Sequence, residues 1–426
     1  MTEAFLQYVW QHKLLDGQLV TTDGHPVVVE RAGELNRDAG PDFFDARLVI
    51  DGLRWAGNVE VHVKSSDWKA HGHSRDKAYN NVVLHVVYIH DTDIILENGK
   101  KVPTVAIADA IPEYVWDNYD SLMNPADNQA IPCASRLPEI PDFLFQMSQD
   151  RLMVERIERK SGDVQRILEE SKGSWEQACY WLTAHYFGAK TNAFPFELLA
   201  KTTPMGVVAK IKDKPSRIEA LYFGQAGLLE TDFSDDYPKA MQQEYKYLCA
   251  AYGLKPIAGH LWKFFRLRPA SFPTLRISQF SNLIYKSSNL FSKLLEAQSV
   301  KSLRTLLDVD TSDYWRTHYT FDKETPIRPK SLGKSLVDTI IINAWIPLLF
   351  EYGVLHGEER YKEQAFALLQ QLPPEKNHIT RLWAEAGIVP KNAAESQAVI
   401  QRYNEYCSQK KCLDCQLAFR LIKTKK

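Results

Sequence analysis

Apolar residues recur along this chain with two different periods, and the change from one to the other divides it. Residues 2–15 place Phe5, Leu6, Tyr8, Val9, Trp10 and Leu14 on the three- and four-residue spacings of a helix face, and Asp16-Gly17 ends the run. From Pro26 to about Asp109 the texture becomes short β-branched runs: VVVE at 27–30, FDARLVID at 44–51, NVEVHVK at 58–64, NVVLHVVY at 81–88 and VPTVAIAD at 102–109. These predict strands. Asp51-Gly52 predicts a hairpin turn, Asn98-Gly99 predicts another before the last strand, and Ser74–Tyr79 in the polar stretch between strands predicts a short helix.

After Pro112 the pattern changes again. The segment NPADNQAIPCASRLPEIPDF, 124–143, reads as a linker or irregular crossover, and everything from Leu144 onward is long helical text. The expected organisation is α+β: an α/β domain over 1–123, a linker over 124–143, and an all-helical domain over 144–426 that ends in a cysteine cluster. No repeat of fixed period is visible.

Composition narrows the classes without choosing one. Apolar residues make up 45% and charged residues 25% of the 426 positions, the averages of a folded globular protein. A formal net charge of -1 removes any global charge argument for a nucleic-acid partner, so a binding surface has to come from local segregation. Glu3, His12, Lys13 and Asp16 interrupt the start where a secretory signal needs an uncharged core. The longest apolar run, Thr339–Phe350, falls short of the ~20 residues of a membrane span and contains Asn343 and Pro347, so it reads as a buried helix with no membrane partner. Six cysteines without a regular framework suit a reducing compartment, and the cytoplasm is the expected location.

The densest chemistry lies between Gly40 and His90. Alternation along the strand 58–64 puts Glu60, His62 and Lys64 on one face, and a hairpin partner beginning at Asp42 brings a second carboxylate near Glu60. Paired carboxylates suit Mg²⁺ or Mn²⁺, an ion that can activate water and neutralise a phosphodiester's developing charge. Asp42 as a turn residue and Glu60 as a partner of Lys64 or Arg54 is the structural alternative. Five of the twelve histidines (His62, His71, His73, His85, His90) fall in this region beside Asp67 and Asp76. His71 and His73 flank Gly72 in a loop where both rings can converge on a metal or phosphate, a third option being a zinc enzyme built from His62, His71 and His73. His85, within VVLHVVY, reads as a hydrogen-bonded core histidine.

The order helix, three-strand meander, helix, strand, with Pro41-Asp42 and Glu60-Val61-His62, resembles the PD-(D/E)XK phosphodiesterase superfamily over the first quarter of the chain. The resemblance implies that Asp42 and Glu60 hold the metal, with Glu34 as a further carboxylate. The superfamily's lysine falls at His62 here, so His62 or Lys64 would manage the attacking water. Taken whole, the chain also resembles an uncharacterised bacterial family carrying GPDF, VEVH, SDW, H-x-H and LHVV in its first part and RP-x-x-FP in its helical part.

Two signals remain in the helical text. Between Lys255 and Arg304, nine basic residues face one acidic residue, Glu296, and aromatics interleave with them. Cations for phosphates and rings for bases suit DNA or RNA, and Pro269 and Pro273 are expected to bring Arg266, Arg268 and Arg276 together. The alternative is a core of aromatics with a solvated cationic face. At the end, Cys407, Cys412 and Cys415 form C-x4-C-x2-C, a candidate Zn²⁺ element whose fourth ligand would come from Cys133, Cys179 or Cys249. The leading expectation is a metal-dependent nuclease or nuclease-derived protein. The competing one is a non-catalytic scaffold with a degenerate core.

Overall fold

The β-branched runs pair into one seven-stranded mixed sheet in the computed structural model, which describes residues 1–125 and 129–425. The strands are β1 (Leu19–Val20), β2 (Pro26–Arg31), β3 (Glu34–Leu35), β4 (Phe43–Ile50), β5 (Leu53–Lys64), β6 (Val82–Ile89) and β7 (Thr104–Ala106). They lie in the order β1-β2-β4-β5-β6-β7, with β3 beside β4. β2, β4 and β5 form an antiparallel meander, and β6 and β7 continue it parallel to β5. Asp51 and Gly52 both take positive φ, 49° and 76°, in the two-residue turn that joins β4 to β5, the twist a tight hairpin requires. β6 is buried from Val82 to Val87, as a parallel strand covered on both faces must be.

Helix α1 (Glu3–Gln11) forms because Thr2 caps it, accepting the Phe5 N–H, and because its apolar stripe has a surface to cover. Phe5, Leu6, Val9 and Trp10 are all buried, and the Trp10 indole donates to Ala32 O at 3.0 Å, tying α1 to the chain between β2 and β3.

Some boundaries differ from the periodicity, each for a local reason. β5 begins at Leu53 and not at 58, because its first four residues are exposed and carry no inward-facing pattern. The last strand shrinks to Thr104–Ala106. The helix expected over Ser74–Tyr79 becomes two 3-10 turns, His73–Arg75 and Lys77–Asn81, because Asp76 takes extended dihedrals and turns its carboxylate onto the Ala78 N–H.

The chain forms two units, Met1–Ser148 with Arg402–Lys426, and Gln149–Gln401. The helical region expected from 144 therefore does not keep the tail. Helix α3 (Glu113–Met123) holds it instead: Asn118 donates to Ile422 O and Thr424 O, at 3.2 and 3.0 Å. Within the expected linker, Ala134–Glu139 is a 3-10 turn whose Arg136 donates to Leu421 O, and 126–128 lie outside the described residues.

The second unit is helical throughout its regular elements. Aromatic side chains fill its core: Tyr180, Phe187, Phe196 and Tyr222 gather around Phe280. Lys334–His356 is long and apolar enough to cross a membrane, yet 78% of its apolar window is buried inside the protein. The Trp345 indole within it donates to Thr183 Oγ1 at 2.9 Å, as a buried core tryptophan does.

Candidate metal centre

Four stretches of the first unit bring polar side chains to one end of the sheet. β5 supplies Glu60 and His62, two residues apart on one face, and the residue before β4 supplies Asp42. After the short helix α2 (Asp67–Ala70), Gly72 takes φ 80° and turns the chain so that His71 and His73 on either side of it face the strand. β6 supplies His85, in register with Glu60.

The ring nitrogens converge. One nitrogen each from His62, His71 and His73 lies within 4.8 Å of the others, the single such group of ligand atoms among the described residues. His62 Nε2 is 3.1 Å from His71 Nδ1. Glu60 Oε1 lies 3.5 Å from His62 Nε2 and 3.2 Å from His73 Nε2. The His73 nitrogen is buried and has no hydrogen bond despite that proximity. Glu60 Oε2 accepts the Asp42 N–H at 3.0 Å, and Asp42 accepts from the Val61 N–H at 2.9 Å and the Gln7 amide at 2.9 Å.

Packing fixes the rings. Tyr79 stacks on His73 with centroids 3.9 Å apart, and Trp68, fully buried, sets its edge or face against His62, His73 and His85. His62 Nδ1 is 2.9 Å from His85 Nε2. If His62 Nε2 is to offer a lone pair, its Nδ1 carries the proton and His85 Nε2 accepts it. His71 is exposed and stands at the mouth.

Burial at the site disfavours the charged form of each of its titrating side chains. Burial first, then the Asp42 carboxylate, pushes Glu60 up to about 8, with Glu3 adding to it. Burial also raises Asp42, against the pull of the Val61 N–H. Burial, then His73 and His71, takes His62 down to about 3, and burial, then His62, takes His85 down to about 2. His73 is lowered for the same first reason. Neutral imidazoles beside carboxylates that resist ionisation form a donor set that fits a divalent ion: the ion would use the neutral nitrogens as they stand and favour the ionised carboxylates.

The sequence-predicted residues divide. Asp42, Glu60, His62, His71 and His73 come together. Lys64 is exposed at the end of β5, and its backbone N–H donates to Asp67, whose carboxylate is thereby committed to the start of α2. Asp76 caps the following turn. Glu34 sits in β3 at the surface, paired with Arg31. The third carboxylate at the site is instead Glu3, in the first turn of α1, which acts on Glu60 and is raised by burial and by Asp42. In the sequence Glu3 stood out only as one of the charges near the start of the chain, which carries no catalytic signal.

In the second unit the three arginines expected to form a clamp differ in burial. Arg266 and Arg268 are exposed, whereas Arg276 turns into the helix packing, donates to Gln279 and is pushed down to about 10 by burial. Pro273 starts the helix Pro273–Lys286, and so places Arg276 on its first turn rather than on the extended segment.

A family model described as a protein of unknown function, DUF2851, matches residues 3–378, nearly the whole chain. No curated protein and no solved structure matches it.

Proposed function

The chain belongs to the DUF2851 family, and from the geometry of this centre we propose that it is a divalent-metal-dependent phosphodiesterase acting on nucleic acid. The observation that carries the reading is the placement of Glu60 Oε1 within 3.5 Å of both His62 Nε2 and His73 Nε2, beside Asp42. The helix, antiparallel meander and parallel strand that frame it run in the order on which the PD-(D/E)XK resemblance rests, a reading that would put Asp42 and Glu60 at the two acidic positions.

His62, His73 and Glu60 would hold the ion, with Asp42 and His71 beside it. Two imidazole ligands, with a third beside them, shift the preference from Mg²⁺ toward Mn²⁺, Zn²⁺ or Fe²⁺, because nitrogen donors favour those ions. Such an ion lowers the pKa of bound water and offsets charge on a phosphoryl oxygen. The chain itself supplies orientation and exclusion: Gln7 and the Val61 N–H hold Asp42, His85 holds His62, and Trp68 and Tyr79 close the rear against water. Lys64, Lys69, Arg75 and Lys77 are exposed on the segment that carries His71 and His73, and they favour an anionic substrate.

The test is hydrolysis of single- and double-stranded DNA, RNA and bis(p-nitrophenyl) phosphate with Mn²⁺, Zn²⁺ or Mg²⁺, comparing wild type with Glu60→Gln. Hydrolysis that needs both the ion and Glu60 is expected. Metal bound without hydrolysis of any phosphodiester would move the reading to a zinc enzyme on another substrate, and no metal binding at all would leave a scaffold.

A further inference from the structure

Four of the six cysteines belong to the first unit, on segments far apart in the chain. Cys133 immediately precedes the 3-10 turn Ala134–Glu139, Cys407 closes a π-turn over Tyr403–Cys407, Cys412 opens a 3-10 turn, and Cys415 stands at the cap of the helix Gln416–Lys423. The hydrogen bond from Arg136 to Leu421 O holds the Cys133 segment against that last helix. Between Cys407 and Cys412 the chain reverses through Lys410, at φ 52°, and the Cys415 N–H then donates to Cys412 O at 3.1 Å, closing the C-x2-C turn.

All four are free thiols; Cys133, Cys407 and Cys412 are buried and Cys415 is half-buried. The electrostatic coupling among the thiols agrees with that placement. Burial first, then Cys415 and Cys412, pushes Cys133 up to about 12; burial, then Cys133, Cys415 and Cys412, raises Cys407. Cys412 goes up to about 12 through burial and then Cys415. The fully buried Arg402 pulls Cys133 and Cys407 the other way. Its guanidinium lies over the Phe145 ring and donates to Ser148, so its charge is fixed beside the thiols.

We propose that Cys133, Cys407, Cys412 and Cys415 form a second metal centre, a closed four-thiolate site for zinc or an iron–sulfur cluster. Four protein donors leave no open position, so the centre is structural: it fastens the tail to the segment after α3. Thiolates around one divalent ion leave a net negative charge, which Arg402 offsets. Tetrahedral zinc sets its sulfurs about 3.8 Å apart, from a Zn–S bond of about 2.3 Å. Among the described residues the sulfurs do not gather in threes within 4.8 Å as the histidine nitrogens do, so a single zinc would draw them inward, whereas a cluster of several irons, whose thiolates stand farther apart, would draw them in less.

The full chain, purified anaerobically without chelator, tests this. Zinc, iron and acid-labile sulfide would be measured per chain in wild type, in Cys412→Ser, in Cys133→Ser and in a His62→Ala/His73→Ala control. The histidine control is expected to hold zinc without sulfide, or iron with matching sulfide and absorbance near 400 nm, and each cysteine variant is expected to lose that same amount relative to wild type, keeping only metal that the histidine centre holds. Should those variants fail to fold, stripped wild type and the histidine control titrated with Co²⁺ give a second reading. A sulfur-to-cobalt charge-transfer band in the near ultraviolet in both supports the centre. Wild type free of these metals, metal content indifferent to the cysteines, a missing cobalt band, or disulfides among the four thiols would each overturn it.

Discussion

Asp42 and Glu60 hold one another through the main chain: the Asp42 N–H donates to Glu60 Oε2, and the N–H that follows Glu60, on Val61, donates to Asp42 Oδ2. Burial raises both carboxylates and Asp42 raises Glu60 further, so the two are fixed side by side where ionising both is costly. Asp42→Asn keeps the shape and removes one charge. Its thermal stability without metal is expected to hold or rise, while Mn²⁺ affinity, read by calorimetry, falls at least tenfold. Asp42→Ala leaves the Val61 N–H and the Gln7 amide without their acceptor and is expected to cost about 1–3 kcal/mol in denaturant unfolding. A parallel loss in both variants would assign Asp42 to packing alone.

A divalent ion that fills the histidine–carboxylate centre binds the folded chain and not the unfolded one. Saturating Mn²⁺ at about a hundred times the dissociation constant is therefore expected to add about 2.7 kcal/mol, seen as a rise in melting temperature that chelator reverses. Glu60→Gln combined with His73→Ala is expected to abolish the rise while Cys412→Ser retains it. That separation keeps the centre distinct from the cysteines.

His85 tests the orientation of a ligand it does not share. Its Nε2 meets His62 Nδ1 at 2.9 Å, and its own Nδ1 is buried without a hydrogen-bond partner. That expense is reasonable where His85 must accept a proton from His62 and so leave His62 Nε2 bare. His85→Phe is expected to lower metal affinity about 10- to 100-fold, the usual effect of removing a partner of a ligating imidazole. Unchanged affinity with reduced stability would make His85 a core residue and nothing more.

How far the sequence could be read follows from what kind of contact each residue makes. β2, β4, β5 and β6 were legible because their side chains alternate or run apolar, and the α+β class followed from the switch to helical spacing after them. Glu60 and His62 share a face by strand geometry, and His71 and His73 flank a glycine that only a turn would want. Glu3 was not legible, because the placement of α1 on the sheet is a tertiary fact that local periodicity does not carry. Glu34 looked suitable by chain position, yet it pairs with Arg31 at the surface. The tail was read only as part of the helical text from Leu144 onward, which did not say that α3 would be the partner of Gln416–Lys423.

Gly57 controls how closely β5, the strand of Glu60 and His62, approaches β6. A Cβ there would lie 2.4 Å from Val83 Cγ1 and 2.6 Å from Asn81 O, and the second is backbone that cannot rotate away. Gly57→Ala is expected to destabilise the first unit by about 1–3 kcal/mol through overpacking. Because Glu60 lies three residues on, the same variant should weaken metal binding, whereas Gly52→Ala, with nothing within 4 Å of its Cβ, should cost stability through its positive φ and leave binding intact.

In the second unit Glu219 is a fully enclosed carboxyl that accepts from Tyr237 Oη at 2.5 Å, Ser312 Oγ at 3.1 Å and Trp315 Nε1 at 2.9 Å. Burial raises its pKa, and the hydrogen bonds oppose that without cancelling it. A carboxyl whose pKa is higher in the folded chain than in the unfolded chain stabilises most below its unfolded value. That contribution is lost as pH rises through the folded value. The stability of wild type relative to Glu219→Gln, from urea unfolding followed in the second unit, is therefore expected to fall as pH rises above the ordinary carboxylate range. The opposite slope would mean that the hydrogen bonds from Ser278, Tyr237, Ser312 and Trp315 outweigh burial and hold an ionised carboxylate. Glu219→Leu separates these partners from the charge: it strands buried polar groups and is expected to cost about 3 kcal/mol or more at every pH.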